Sequence, residues 1–241
     1  MASTISTASS SQTYVGSLGR GIFTTTLTLT KDPADYACCS CVRATFYLKL
    51  AGKATQAVEV GHIVSYLVGK TTPGETEDSK PLWVVELCRD SKDKCEIPKI
   101  MRTLFGKVGI CRKSKFLEPF VDQLRECDEF LVIDTFKLGL EYRSGKGIGA
   151  LALEAYHALV PQLLRQARNG ESPSGKKVTV LLAPGMPRSC QNDYPNTDHW
   201  AAVKKLRPFY EDNHFELFED DSVVASDQPD NLAVMGRGLE Y

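Results

Sequence analysis

No stretch of this chain approaches the ~18 consecutive apolar residues that would mark a membrane-spanning helix. The N-terminus also lacks the charged-then-apolar order of a secretory signal. Together these predict an intracellular, cytoplasmic protein that binds no membrane. Mitochondrial import is the weaker alternative, because Arg20 is the only early base. A surplus of charge is missing too: Lys plus Arg number 29 against 30 Asp plus Glu, a net charge of -1. That balance excludes a global electrostatic grip on nucleic acid. Residues 1–13, MASTISTASSSQT, contain neither acids nor bases and are rich in Ser and Thr. Such composition predicts a flexible tail ahead of a domain over 14–241. No internal repeat is visible.

Eight cysteines are present, but metal-ligand spacing is not. Cys39 and Cys41 form a CxC, while Cys88, Cys95, Cys111 and Cys127 are scattered. A zinc site needs a second pair at comparable spacing, so the expectation is reduced, buried thiols and no metal.

With 42% hydrophobic and 24% charged residues over 241 positions, a substantial core is expected. Residues 22–30, IFTTTLTLT, and 42–50, VRATFYLKL, alternate in the manner of strands. Residues 58–69 return as the second arm of a hairpin. The segment 72–128 reads as a partly helical insertion. Ile97, Ile100, Met101 and Leu104 share one helical face there, and Phe116, Phe120, Val121 and Leu124 share another behind Ser114 as N-cap. Residues 129–140, EFLVIDTFKLGL, form a buried strand. Residues 150–167 are helical, with Pro161 expected to kink or divide the helix. VTVLLA (178–183) is a short strand, 184–197 a loop punctuated by proline, and 199–212 a helix that Asp198 can cap, with Pro208 expected to disturb its last turn. Two closing strands complete a mixed α/β layer.

The segment 141–156, EYRSGKGIGALALEAY, packs Gly145, Gly147 and Gly149 between a buried strand and a helix start. Unpaired main-chain N–H groups and the positive end of the helix dipole converge there, which favours an anion. Arg143 and Lys146 add formal charge. The nucleoside-triphosphate loop is excluded, because no Gly-Lys-Ser/Thr follows at its required spacing. A dinucleotide fingerprint fits Gly145, Gly147 and Ala150, but the next strand ends without the acid that reading needs.

The stretch LEYRSGKGIGALAL resembles motif A of the GCN5-related N-acetyltransferase family, R/Q-x-x-G-x-G/A behind a Tyr-Arg pair closing the fourth strand. Gly147 and Gly149 match its glycines, while Ser144 stands where the family has Arg or Gln. RPFYEDNHFELFEDD (207–221) is similar to the family's FY-x-x-x-G-F segment, with His214 in the glycine slot, so that Asn213 or His214 would make the turn in a left-handed conformation, and Val203 where an Asn is common. The resemblance covers about 129–240. It implies a GNAT-like fold, a mixed and mostly antiparallel sheet flanked by helices, and it implies a diphosphate held by the amides of Ser144, Gly145, Lys146, Gly147, Ile148 and Gly149 beside Arg143. It further implies acetyl-CoA or another acyl-CoA as co-substrate and acyl transfer to an amine-bearing acceptor, small molecule or protein. Tyr210 would be the general acid, Asp134 the base, and the Leu138 amide the oxyanion donor. A non-catalytic acyl-CoA-binding module on the same fold is the alternative. Monomer and homodimer are both compatible with the sequence. His62, His157 and His199 are read as structural, and Asp134 has a structural reading as well. Residues 204–207, KKLR, read as an exposed helix face and 219–221 as a solvated acidic turn.

Overall fold

The computed structural model describes residues 3–31, 39–52, 56–69, 97–105, 118–127, 129–143, 145–168, 177–184, 199–220 and 233–240. One mixed sheet organises them. Its strands are β1 (Ser3–Gly16), β2 (Gly19–Lys31), β3 (Cys39–Leu50), β4 (Val58–Gly69), β5 (Glu129–Leu138), β6 (Lys177–Leu182), β7 (Glu216–Asp220) and β8 (Ala233–Glu240). Their spatial order is β1-β2-β3-β4-β5-β6-β8-β7. Every neighbouring pair is antiparallel except β5 and β6, which run parallel. The helices are α1 (Ile97–Phe105), α2 (Val121–Glu126), α3 (Ile148–Ala167) and α4 (His199–Asp212).

Alternation decides which face each strand residue joins. In β2, Phe23, Thr25, Leu27 and Leu29 turn inward, and Thr24, Thr26 and Thr28 face the other side. The inward set packs on α3, whose buried positions Ile148, Ala152, Ala155, Tyr156, Leu159, Val160 and Leu163 recur at three and four residues. A second apolar layer on the opposite face joins Phe130, Val132 and Phe218 to Ile97, Ile100, Met101 and Leu104 of α1. The helical face anticipated for 97–104 is therefore the buried one. Phe120 and Leu124 also join this layer, and the Phe120 ring stacks on Phe218 at 4.2 Å. Phe116 and Ser114 lie outside the described residues.

Three expectations need correction. The N-terminal residues are no flexible tail: Ser3–Gly16 is β1, paired along β2 and turned through Ser17 and Leu18. The domain thus includes residues expected to precede it. Short hydroxylated side chains tolerate the pleat, and α3 supplies what composition could not show. Ser6 Oγ donates to the Leu163 carbonyl (3.2 Å), and Tyr14 OH donates to the Lys146 carbonyl (2.9 Å). The eight residue steps from Ser6 to Tyr14 span about 27 Å of strand. Lys146 to Leu163 spans about 26 Å of helix, so β1 lies along the whole of α3 and holds both of its ends.

Pro161, secondly, does not divide α3, which continues from Ile148 to Ala167. Burial of the helix on both sides of the proline outweighs its missing hydrogen bond. Thirdly, Pro208 leaves α4 intact to Asp212.

The end of α4 is set by His214, the only non-glycine residue with positive φ among those described (φ 65). His214 N–H donates to Glu211 O and Phe215 N–H to Tyr210 O, each at 3.0 Å. This is the paired bonding of a Schellman cap with a left-handed residue at C′, and it meets the expectation that Asn213 or His214 makes the turn. A left-handed L-residue costs about 1–2 kcal/mol, of which glycine's greater chain entropy returns part. His214→Gly is expected to raise unfolding free energy by roughly 0.5–1 kcal/mol, and His214→Val to lower it. Urea denaturation checks both; a glycine variant no more stable than the parent contradicts the assignment.

Candidate functional site

β6 is shorter than the strand beside it. Its last paired residue, Leu182, lies opposite Ile133, whereas β5 continues to Leu138 along β4. From Asp134 onward, one edge of β5 is therefore not paired with β6. Asp134 is also the extra residue of a bulge, since Val64 pairs with Thr135 and Ser65 with Ile133. The bulge exchanges faces. Leu131 and Ile133 point to α3 before it, and Phe136 and Leu138 do so after it.

Main-chain directions follow from one bond. Gly139 N–H donates to Val60 O at 2.9 Å, so Gly61 and Leu138 form the pair whose own N–H and C=O groups point away from each other. The Leu138 carbonyl accepts Arg143 Nε at 2.8 Å. Its N–H is directed to the side where β6 has ended. Gly61 has a steric reason: a Cβ there would lie 2.3 Å from the Lys137 carbonyl oxygen.

The glycine loop closes this open end. Gly145 and Gly147 have φ of 70 and 72, the left-handed region, with nothing within 4 Å of where a Cβ would stand. Their lack of side chains is thus a backbone requirement. Gly149 differs, because a Cβ there would sit 3.2 Å from the Phe209 ring and 3.7 Å from Leu138. At Gly149 the missing side chain thus also makes room for the Phe209 ring. Ser144 lies outside the described residues.

Bonds to the loop use its carbonyls. Tyr14 OH takes Lys146 O, and Ser17 Oγ reaches Gly145 O at 3.5 Å. Gly147 is the N-cap of α3 and makes no side-chain capping bond, and the first turn carries no acid. Leu151 N–H makes the first intrahelical bond, to Gly147 O. The amides of Ile148, Gly149 and Ala150 precede it and are the donors that an α-helix leaves over. Arg143 is anchored to the strand end, so it fixes the loop as well as contributing charge.

Phe209 connects this corner to α4. Its ring lies 6.4 Å from Phe136 and 5.2 Å from Tyr210, and Tyr210 in turn meets Phe215 at 5.7 Å. Two sequence segments some sixty residues apart, 138–149 and 209–210, thereby converge at the open end of β5. Tyr210 is 8% exposed, and burial pushes its phenol above the ordinary value. It stays protonated throughout the neutral range.

Asp134 is not gathered into that corner. Thr135 Oγ1 donates to it at 3.2 Å, and at about 3.3 Å per residue it stands on the order of 13 Å from Leu138. By the strand's alternation it belongs to the face away from α3.

The histidines divide. His62 is partly buried, with Nδ1 3.9 Å from Glu59 Oε1. Burial and the nearby Arg43 lower its pKa, with Lys137 adding to them against Glu59. His199 opens α4, and its side chain is outside the described residues. His157 turns to the sheet: Nδ1 is 3.0 Å from Arg237 Nη1, which also donates to Asn213 O at 3.1 Å. Arg237 can only donate, so Nδ1 accepts and the proton sits on Nε2, a buried atom without a partner among the described residues. The Arg237 bridge ties α3 and β8 to the turn behind Tyr210, across 80 residues of sequence, with no local signal. Buried Tyr156 does similar work, donating to Ser65 Oγ (2.6 Å), which donates to Val42 O (3.1 Å).

Cys39 and Cys127 are buried, as expected, and Cys41 is partly buried. No group of three or more His, Cys, Asp or Glu residues able to hold a metal exists among the described residues. Among the described residues, no helix is long and apolar enough to cross a membrane.

Burial, with the Arg237 charge next and His214 after it, drives the His157 pKa from the ordinary 6.5 to about 3. The unfolded chain therefore binds a proton that the folded chain refuses between those values. Stability is complete above pH 6.5 and falls as pH drops through that window, approaching about 1.4 kcal/mol per pH unit. Between pH 7 and 5, wild type should lose about 2 kcal/mol more than His157→Gln; parallel stability curves would refute the assignment. No family model, curated protein or solved structure matches this chain.

Proposed function

We propose that this protein is an acyl-CoA-dependent N-acyltransferase of the GCN5-related type, moving an acetyl or other acyl group directly to an amine. One observation carries the reading: the glycine loop and the Phe209-Tyr210 segment, which resemble that family's two motifs separately, meet at the unpaired end of β5. The topology supports it. Counted from β2, the strand leading into the loop is the fourth, and it parts from its parallel neighbour where the family's fourth and fifth strands splay. Among the described residues, helices lie between β4 and β5 and none between the first strands, a difference that falls in the acceptor-binding half.

Each group has a part to play. The amides of Ile148, Gly149 and Ala150, with the dipole of a twenty-residue helix, receive the diphosphate of coenzyme A. The pantetheine arm runs into the gap between β5 and β6. There the Leu138 N–H donates to the thioester carbonyl and to the oxyanion that forms when the amine attacks. Collapse of that intermediate breaks the C–S bond and releases a thiolate.

Tyr210 donates to the departing sulfur. A thiol's ordinary pKa of about 8.5 lies below that of a phenol, and burial widens the difference. The hydroxyl thus acts chiefly by hydrogen bonding as negative charge develops. Asp134 stands away from this corner, so the amine's proton leaves to water and not to that carboxylate. A non-catalytic acyl-CoA-binding module uses the same loop and differs only in lacking turnover.

Calorimetry with acetyl-CoA is expected to show binding that Gly147→Asp weakens about tenfold or more, since the added carboxylate repels the diphosphate and competes for the same amides. Binding unaltered by that change would place the anion elsewhere. Across a panel of amines with thiol-release detection, Tyr210→Phe should lower turnover about 100-fold with acetyl-CoA affinity unchanged. Equal turnover would remove Tyr210 from the mechanism, and cofactor binding with no turnover on any amine would favour the binding module.

A further inference from the structure

The two edges of the sheet are built differently. β7 is five residues long, has three acids in its sequence and contains a register shift. Short length, charge and irregularity are the usual means by which an edge avoids pairing with another chain. β1, at the opposite edge, has fourteen residues and only one irregularity, between Thr4 and Ser6. It contains no proline and no charged residue, and no charge occurs before Arg20. Past Ser6, every β1 residue to Gly16 pairs with β2 in uninterrupted register.

We propose that β1 is the pairing edge of a homodimer, in which the β1 strands of two copies lie antiparallel about a twofold axis and join two eight-stranded sheets into one. A second copy is the occupant that the edge fits, because a strand without charge opposes itself without repulsion. Its apolar residues also select a register. Ile5 and Val15 are exposed, at 44% and 69%, and each stands five residues from Ser10. With Ser10 opposite Ser10 of the second copy, Ile5 meets Val15 at both ends, and Thr7 meets Thr13. Opposed residues share a face in this register, so both copies of α3 remain on one side of the continuous sheet.

A strand of this length presents an edge about 47 Å long and about 10 Å deep, so the pair buries on the order of 900 Å². That lies near the lower limit for a specific interface. The dimer is accordingly a reversible one, with dissociation in the micromolar range.

The test is sedimentation velocity of the full chain at rising concentration, with variants at two exposed positions. Wild type should convert from monomer to dimer. Thr7→Lys combined with Thr13→Lys sets like charges directly opposite twice and should weaken dimerisation at least tenfold; the corresponding Thr7→Glu, Thr13→Glu protein should do the same. An equimolar mixture of the lysine and glutamate proteins should dimerise again, which also shows that both are folded. A wild type that remains monomeric at all concentrations overturns the proposal, as does a dimer indifferent to the lysine pair or a mixture that fails to associate.

Discussion

The molecule is organised by the unequal length of two parallel strands. β6 ends opposite Ile133 while β5 continues, and main-chain groups that a sheet would ordinarily satisfy are turned to a gap in the strand order among the described residues. A polypeptide cannot leave such groups unsolvated without cost, so the gap must be filled by water, by protein or by a ligand. Arg143 satisfies one of them, the Leu138 carbonyl. The Leu138 N–H, directed the same way, is the group around which the proposed chemistry is arranged.

What keeps the gap in shape is a set of ties that do not enter it. β1 holds α3 at both ends through Ser6 and Tyr14. The Tyr156-Ser65-Val42 chain pins the helix to the middle of the sheet, and the ion pair of Arg168 with Glu129 joins the far end of α3 to the start of β5. Arg237 joins α3, β8 and the α4 turn. Phe209 then packs against Gly149, so the helix start, the strand end and the aromatic segment are fixed relative to one another. Bonds to the loop's carbonyls orient it while leaving the amides at the head of α3 available.

Much of this was legible in the sequence, for local reasons. Alternation marked β2 and β3, a hairpin return marked β4 and a continuous apolar run marked β5, while helical spacing marked α1 and α3, because burial writes a pattern into the chain. The glycines announced a special backbone, and the resemblance of 207–221 to a motif with glycine at that slot put the turn after α4 at Asn213 or His214. What sequence could not reveal is non-local. Ser and Thr in β1 look like a linker until β2 and α3 are beside them. Gly149 packs closely under Phe209, sixty residues later, and the His157-Arg237 contact leaves no periodic trace. The bulge at Asp134 was hidden inside an apolar run, although it decides which side chains of β5 reach α3. Asp134 itself, singled out as the strand's only acid, lies away from the corner where the other candidates meet.

The most direct measurement is a crystal structure with coenzyme A bound. The account predicts the diphosphate on the amides at the start of α3 and the pantetheine in the opening between β5 and β6, with its sulfur near Leu138 and Tyr210. Coenzyme A lying outside that opening, or β5 and β6 closed against each other along Asp134 to Leu138, would contradict it.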